Sequence, residues 1–357
     1  MIAITLGTRP EIIKMAPIIR ECEQQDIDYF LIHSGQHYSF EMDQTFFDEL
    51  QLPRPHYHLN AGSGTHAGQT GKIMAGVEKV LLEHPPDLIL VQGDTNTVLA
   101  AALAASKLHH AIGHVEAGLR CFDRRLPEEI NRVVTDHISD YLFAPTTETV
   151  GNLRHEGIDA SKIHLTGNTI VDAVYQNLQV FCGESNVAQK FGLQPGEYFL
   201  ATFHRPENVD SRATFSELMN GLNAINEEFS LPVVFPMHPR TKKQMTAKGI
   251  SSGSIHSIDP VGYLEFLQLE AHARCILTDS GGIQEESCIL GVPCVTVRQN
   301  TERPETLLVG ANVLSSVSCA EIVNKTREML ARGSDWVNPF GDGTAARNIV
   351  NILDHSG

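Results

Sequence analysis

Three carboxylates stand where short apolar runs end. Asp94 follows residues 88–92 in Gln92-Gly-Asp-Thr-Asn-Thr97, and Glu116 closes the run 112–115 in His114-Val-Glu-Ala-Gly-Leu-Arg120. Glu128 opens a helical pattern in Pro127-Glu-Glu-Ile-Asn-Arg132, with proline in the first turn. A histidine, His204, follows a later apolar run in His204-Arg-Pro-Glu-Asn208. Singly, each acid would serve as a helix cap or a partner of a helix dipole. Their common address at strand ends points elsewhere. Several acids in one site can have their pKa values driven apart, which general acid and base chemistry requires.

A second group of residues suits an anion. Gly7-Thr-Arg-Pro-Glu11 leads from the first apolar run into a helix that carries Lys14. Free amides at a helix start, with Arg9 and Lys14 beside them, suit a diphosphate. Asp279-Ser-Gly-Gly-Ile-Gln-Glu-Glu286 repeats the arrangement. Gly281 and Gly282 permit close backbone approach and Ser280 adds a hydroxyl. Glu286, one turn on, could accept two ribose hydroxyls. Arg298-Gln-Asn-Thr-Glu-Arg-Pro-Glu305 adds Arg303, a fork-shaped phosphate partner. Neither GxGxxG nor GxxxxGK[ST] occurs, so a nicotinamide or P-loop reading loses its main support. The 17 histidines form no HExxH or other metal spacing, and no metal site is expected. His37 and His238 read as structural. The seven cysteines are odd in number and lack a CxxC pair, which argues against a disulfide framework and a zinc ribbon.

The elements that must position these residues form two series. Strands are expected at 2–6, 29–33, 88–92, 112–115 and 141–144, then at 198–202, 233–235, 275–278 and 294–297. Helical patterns lie at 12–23, 71–83, 98–107, 282–290 and 345–353. Unalternating apolar strands, each followed by a helix, predict parallel sheets covered on both faces. With 357 residues, two doubly wound α/β domains are expected: 1–167, 168–340 and a last helix, 341–357, packed back on the first domain. Turn-rich residues 165–169 and the polar break 182–186 mark the change. A balance of 27 basic against 43 acidic residues, net −16, disfavours nucleic acid and anionic lipid as partners. No stretch suits a signal peptide or a membrane span, so a cytoplasmic protein is expected.

The motifs from Gly7-Thr-Arg-Pro-Glu11 to Thr301-Glu-Arg-Pro-Glu305, taken together and in order, resemble the non-hydrolysing UDP-N-acetylglucosamine 2-epimerases. The likeness runs from the first strand to Asn338-Pro-Phe-Gly-Asp-Gly343, and the wording of residues 35–39 and 62–66 is nearest to archaeal members and to bacterial relatives acting on modified sugars. The resemblance implies a GT-B architecture, two Rossmann-like domains around a cleft, and a homodimer. It implies that Arg9, Lys14, Ser280, Gly281, Gly282, Glu286 and Arg303 hold UDP, with Phe266 near the uracil. Asp94, Glu116, Glu128 and His204 would form the catalytic group, with no cofactor. Two departures stand out. The bacterial pattern has a basic residue where this chain has Gly62-Ser-Gly-Thr-His66, and often a second arginine where it has Pro206. Both bear on a second, activating sugar-nucleotide site, so activation by substrate is not expected.

The implied reaction is constrained by chemistry. The C2 proton of an N-acetylhexosamine has no adjacent carbonyl, so direct removal would leave an unstabilised carbanion. Expelling UDP from C1 spreads positive charge onto C1 and the ring oxygen, an oxocarbenium character that carboxylates stabilise. The expected route is anti elimination to 2-acetamidoglucal, then re-addition of UDP with a proton delivered to the opposite face. Glu116 and Glu128 are the preferred acid and base, with Asp94 a third or an aligner. Alternatives at this point are a 2-epimerase of UDP-2,3-diacetamido-glucuronate, a hydrolysing epimerase, a GT-B glycosyltransferase and a non-catalytic sugar-nucleotide binder.

Overall fold

A computed structural model describes residues 1–36, 40–180 and 187–354. His37 and the polar break 182–186 therefore lie outside the described residues. The chain forms two compact units. One comprises Met1–Gln176 together with the chain from Phe340 onward, and the other Asn177–Pro339.

The first unit holds seven strands: β1 (Ile2–Leu6), β2 (Tyr29–His33), β3 (Tyr57–His58), β4 (Leu88–Gln92), β5 (Ala111–Val115), β6 (Tyr141–Ala144) and β7 (Ile163–Leu165). They pair in parallel in the order β3-β2-β1-β4-β5-β6-β7. Strands β1 and β4 are buried along their whole length. Ala3, Ile32, Ile89 and Val91 supply one face of the core, covered by Ile73 and Val77 of the helix His66–Glu83. The neighbouring helix Asn96–Lys107 buries five alanines, small enough to let the two helices approach closely.

The second unit repeats the plan with β8 (Phe199–Thr202), β9 (Val233–Pro236), β10 (His256–Ile258), β11 (Cys275–Thr278), β12 (Cys294–Val297) and β13 (Asn312–Ser315). Its parallel order is β10-β9-β8-β11-β12-β13. Phe199 and Ala201 face one apolar layer with Phe215, Leu218 and Leu222. Leu200 faces the other, with Ile276 and Leu269. Successive side chains thus enter opposite buried layers, and this is why these strands read as unbroken apolar runs.

In both sheets the strand order reverses once, between β1 and β4 and between β8 and β11. Ligands of such sheets bind at the carboxyl ends of strands beside that reversal. The loops there carry Gly7–Glu11 and Asp94 in the first unit, and His204 and Ser280 in the second.

The chain returns to the first unit at Phe340, whose carbonyl accepts the Asn168 amide at 2.8 Å. The helix Ala345–Asp354 then packs on Arg9–Gln24. Asp172 caps it, accepting the Ala345 amide at 3.3 Å and that of Ala346 at 2.9 Å. Burial pushes the Asp172 carboxyl up to about 6 against those two amides. The six described cysteines are free thiols, four of them buried. Among the described residues no helix is long and apolar enough to cross a membrane, and no cluster of ligating side chains could hold a metal.

Candidate active site

In the first unit the three predicted carboxylates gather around the ends of β4 and β5. Gly93 turns the chain sharply after β4 with φ +83°, and Asp94 follows it. The Asp94 carboxylate is held by the Arg132 guanidinium, and its carbonyl accepts the Asn131 side-chain amide at 2.8 Å. Both partners come from the helix Pro127–Ile138, so this helix and strand β4 jointly fix Asp94. Glu128, in the first turn of that helix, is exposed. It shares with Asp94 the wall of a cavity of about 230 Å³, lined also by Gln36, His66, Gln69 and Asn96.

Glu116 sits just past β5 with φ +70°, a backbone conformation that non-glycine residues rarely adopt. Its amide and that of Ala117 both donate to the Phe143 carbonyl of β6, which pins the turn. The carboxylate is buried and meets Lys14 Nζ at 2.6 Å, the Gln92 side-chain amide and, at 3.5 Å, Asn168 Nδ2. A β-carbon on Gly93 would stand 3.8 Å from Glu116 Oε2, so Glu116 lies beside the loop that carries Asp94.

The Gly7 loop differs from the anion cradle that its sequence suggests. The Gly7 and Thr8 amides donate to the carboxylate of Glu11, and the Thr95 hydroxyl donates to its other oxygen. Glu11 therefore joins the turn after β1 to the turn after β4. Burial pushes its carboxyl up to about 7, against these donors and with help from nearby Asp94. Lys14, expected beside a phosphate, is paired with Glu116. Arg9 lies with its guanidinium 4.5 Å from the Phe46 ring centre.

Beneath the carboxylates runs a buried polar chain. His114 Nε2 donates to the Gly93 carbonyl at 2.8 Å, and Nδ1 faces Asp136 Oδ1 at 2.6 Å. Arg120 reaches the other Asp136 oxygen at 2.7 Å and is tied to Glu156. Burial alone would raise Asp136, but His114 and Arg120 hold it below the usual carboxylate range. His114 anchors the Gly93 turn from within β5, whereas Glu116, past the strand end and with positive φ, turns its carboxylate to Lys14.

In the second unit Asp279, at the end of β11, organises the His204 loop. Its buried carboxylate accepts the amides of His204 at 3.2 Å and Arg205 at 3.0 Å, and Asn208 Nδ2 at 3.0 Å. His204 Nδ1 lies 3.2 Å from the same carboxylate, and its side chain is 55% exposed. Burial pushes Asp279 up, yet His204, Asn208 and Arg205 hold it low. Ser280 is the N-cap of the helix Gly281–Leu290, and Gly281 and Gly282 form its first turn. Gly282 is exposed and a β-carbon there would meet nothing, so the helix start is open. Arg303 Nε pairs with buried Glu285 at 2.6 Å, and Thr301 donates to Gln284 Oε1 at 2.6 Å. These contacts dock the Thr301–Glu305 loop on that helix. Glu286 is buried and accepts the Tyr263 hydroxyl at 3.0 Å. Phe266 lies half-buried on the helix Tyr263–Ala271.

The structure thus brings Asp94, Glu116, Glu128, Arg9 and Lys14 to one end of the first sheet. Ser280, Gly281, Gly282, Glu286, Arg303 and His204 stand at the corresponding end of the second. Sequence reasoning missed Glu11, Arg132, Asp136, Asp279 and Glu285, the charged residues that hold the predicted ones. Each lies inside a motif already quoted or within a turn of one, but its partner is distant in the chain.

Two Rossmann-like parallel sheets with polar loops at each reversal define a GT-B-class protein with a nucleotide-sugar type of site. The family described as UDP-N-acetylglucosamine 2-epimerase matches residues 20–354, and the chain belongs to that family. A UDP-N-acetylglucosamine 2-epimerase of Methanocaldococcus jannaschii is 53% identical, with 99% of each chain covered. The crystal structure of the M. jannaschii UDP-GlcNAc 2-epimerase in complex with UDP-GlcNAc and UDP matches at a TM-score of 0.90, 53% identity and 99% of each chain. A UDP-2,3-diacetamido-2,3-dideoxy-D-glucuronate 2-epimerase of Pseudomonas aeruginosa is 40% identical, with 98% of each chain covered.

Proposed function

We propose that this protein is a UDP-N-acetylglucosamine 2-epimerase that interconverts UDP-GlcNAc and UDP-ManNAc. The observation that carries the reading is the gathering of Asp94, Glu116 and Glu128 around one sheet reversal, in a chain of this family. In this reading UDP leaves C1 by anti elimination and rejoins the resulting 2-acetamidoglucal after proton exchange at C2. Asp94, fixed by Arg132 and Asn131, and exposed Glu128 reach substrate from one cavity wall. Glu116, held by Lys14 and Gln92, is the most rigidly placed of the three and suits proton removal at a defined position. Lys14 then acts on Glu116 rather than on a phosphate. His204 is the candidate histidine of the second unit, its ring set by Asp279.

The diphosphate is assigned to the open helix start at Ser280, Gly281 and Gly282, and to Arg303, whose Nε Glu285 holds at 2.6 Å. Arg9 assists, Glu286 takes the ribose and Phe266 the uracil. The reading needs no nicotinamide, and it includes a homodimer working in the cytoplasm. A uronate substrate, as the P. aeruginosa relative's name implies for that protein, would bring a further negative charge. Among the described residues, the cavity beside Asp94 and Glu128 is lined by these acids, amides, Ser63, Thr95 and His66 and by no Lys or Arg, which favours the neutral N-acetylhexosamine.

Turnover of UDP-GlcNAc in D2O tests the core of the reading. Deuterium should enter at C2 of both epimers, followed by NMR, with no added acceptor or NAD. Complete retention of the original hydrogen would rule out the proton exchange, and conversion only of the diacetamido-glucuronate would transfer the activity to that substrate.

A further inference from the structure

One buried carboxylate ties together the two turns that carry Asp94 and Glu116. Asp136 lies on the helix Pro127–Ile138 and is enclosed by the first unit. Its Oδ1 stands 2.6 Å from His114 Nδ1, and His114 Nε2 donates to the Gly93 carbonyl at 2.8 Å. Gly93 precedes Asp94, and its own amide donates to the Val115 carbonyl at 3.1 Å. The other Asp136 oxygen, Oδ2, accepts the Gly118 amide at 3.2 Å, just past Glu116, and meets Arg120 at 2.7 Å. Gly93 and Gly118 both have φ +83°, so each turn is held at the glycine that lets it form. Arg132, which grips the Asp94 carboxylate, lies one turn before Asp136 on the same helix face. One helix thus holds Asp94 directly at Arg132 and from beneath at Asp136.

The partners decide where the hydrogens lie. The Gly93 carbonyl can only accept, so His114 Nε2 carries a hydrogen. The Gly118 amide and the Arg120 guanidinium both reach Oδ2, and a carboxyl beside a guanidinium sheds its own hydrogen. Burial raises the Asp136 carboxyl, yet His114 and Arg120 hold it below the usual range. An ionised Asp136 can also only accept, so His114 Nδ1 carries a second hydrogen. The buried ring is therefore an imidazolium. Charge is balanced within the cluster, where His114 and Arg120 face Asp136 and Glu156.

We propose that Asp136 is a positioning residue: through the doubly protonated His114 ring and the Gly118 amide, it fixes the Asp94 and Glu116 turns relative to each other. This rests on the assignment of Asp94 and Glu116 to proton exchange at C2. Carboxylates that serve one carbon must keep a set separation, because a shift of either turn carries its acid off the reacting hydrogen. The tie acts from below the site, so it can hold that separation without touching substrate.

NMR and kinetics on the full chain test the idea. Nitrogen-15 spectra at about pH 8, where a free imidazole is neutral, should show hydrogen on both ring nitrogens of His114. The signal is assigned by its loss in His114→Phe, and a ring with one bare nitrogen would overturn the proposal. Asp136→Asn can turn its amide to Nδ1 and its carbonyl to Gly118 and Arg120. That ring should become neutral, keep its Nε2 bond to Gly93, and hold kcat within about five-fold. Asp136→Leu removes both ties, and kcat for UDP-GlcNAc should fall roughly 100-fold, with UDP Kd within about two-fold. A normal kcat in the folded leucine variant would reduce Asp136 to a structural role and overturn the proposal, as would equal losses in both variants. Should Asp136→Leu not fold, His114→Phe should show the same fall in kcat, and a normal rate there would overturn it equally. A wild type that exchanges no C2 hydrogen but shows the doubly protonated ring would overturn the proposed function and leave the tie between the turns standing.

Discussion

Asp94 and Glu116 are held by opposite devices. Asp94 is gripped from outside by Arg132 and remains at a cavity wall, whereas Glu116 is sunk beneath the surface against Lys14. Asp94→Asn keeps the shape but removes the charge and the proton-transfer capacity. Turnover should fall by roughly three orders of magnitude, with UDP affinity changed no more than a few-fold. Calorimetric titration with UDP beside a rate assay checks both halves, and a near-normal rate would remove Asp94 from the catalytic group. Lys14→Met leaves the Glu116 carboxylate buried without its ammonium partner. A loss of about 3 kcal/mol of stability is expected at neutral pH, together with nearly all activity. Chemical denaturation of that variant measures the first effect, and an unchanged midpoint would mean that Glu116 is not bound to Lys14 in solution.

At the level of strands and helices, the sequence reading located the nine central strands and part of the helices, without placing Arg212–Phe229, Tyr263–Ala271 or Cys319–Arg332. The four strands it did not identify are β3, β7, β10 and β13, and these are the two edges of each sheet. β3, β7 and β10 have only two or three residues and are largely uncovered, so they carry no apolar run long enough to notice, while in β13 the polar ends Asn312 and Ser315 leave only two apolar residues between them. The same contrast holds in the site. Asp94, Glu116 and Ser280 were legible because each follows a central strand directly. The Lys14–Glu116 pair was not legible because nothing in Gly7-Thr-Arg-Pro-Glu11 reveals that Glu11 folds back onto its own turn, or that Glu116 lies beside the ammonium from 102 residues away. Gly118 shows how tightly the β5 turn is built. With φ +83°, a β-carbon there would stand 2.5 Å from the Thr149 carbonyl oxygen, a backbone atom that cannot rotate aside. Gly118→Ala should destabilise the protein by roughly 2 kcal/mol or more and displace Glu116. Its melting temperature and its rate should fall together, and a variant with a normal melt and a normal rate would show the turn to be pliable.

For the molecule as a whole, the net charge of −16 puts the burden of anion binding on a few local groups, and the fold supplies them at helix starts and paired arginines. Stability should respond to pH through its buried acids. Asp172 has a folded value of about 6, above the 3.8 of a free aspartate, so its contribution is complete below about pH 4 and is lost as the pH rises through 6. Asp172→Asn does not titrate. The stability of wild type relative to this variant should therefore decrease between pH 4 and pH 7.5, by on the order of 1–3 kcal/mol, in paired thermal melts. A difference that grows over that range would reverse the assignment.

Because the segment that Asp172 caps is synthesised only after the whole second unit, the first unit cannot close on the ribosome when its own strands emerge. Its Arg9–Gln24 helix must wait, its flank bare, while the whole intervening unit is translated and folds. Nascent chains stalled before residue 340 should thus present a protease-sensitive amino-terminal half behind a resistant second half, an order of maturation opposite to the direction of synthesis.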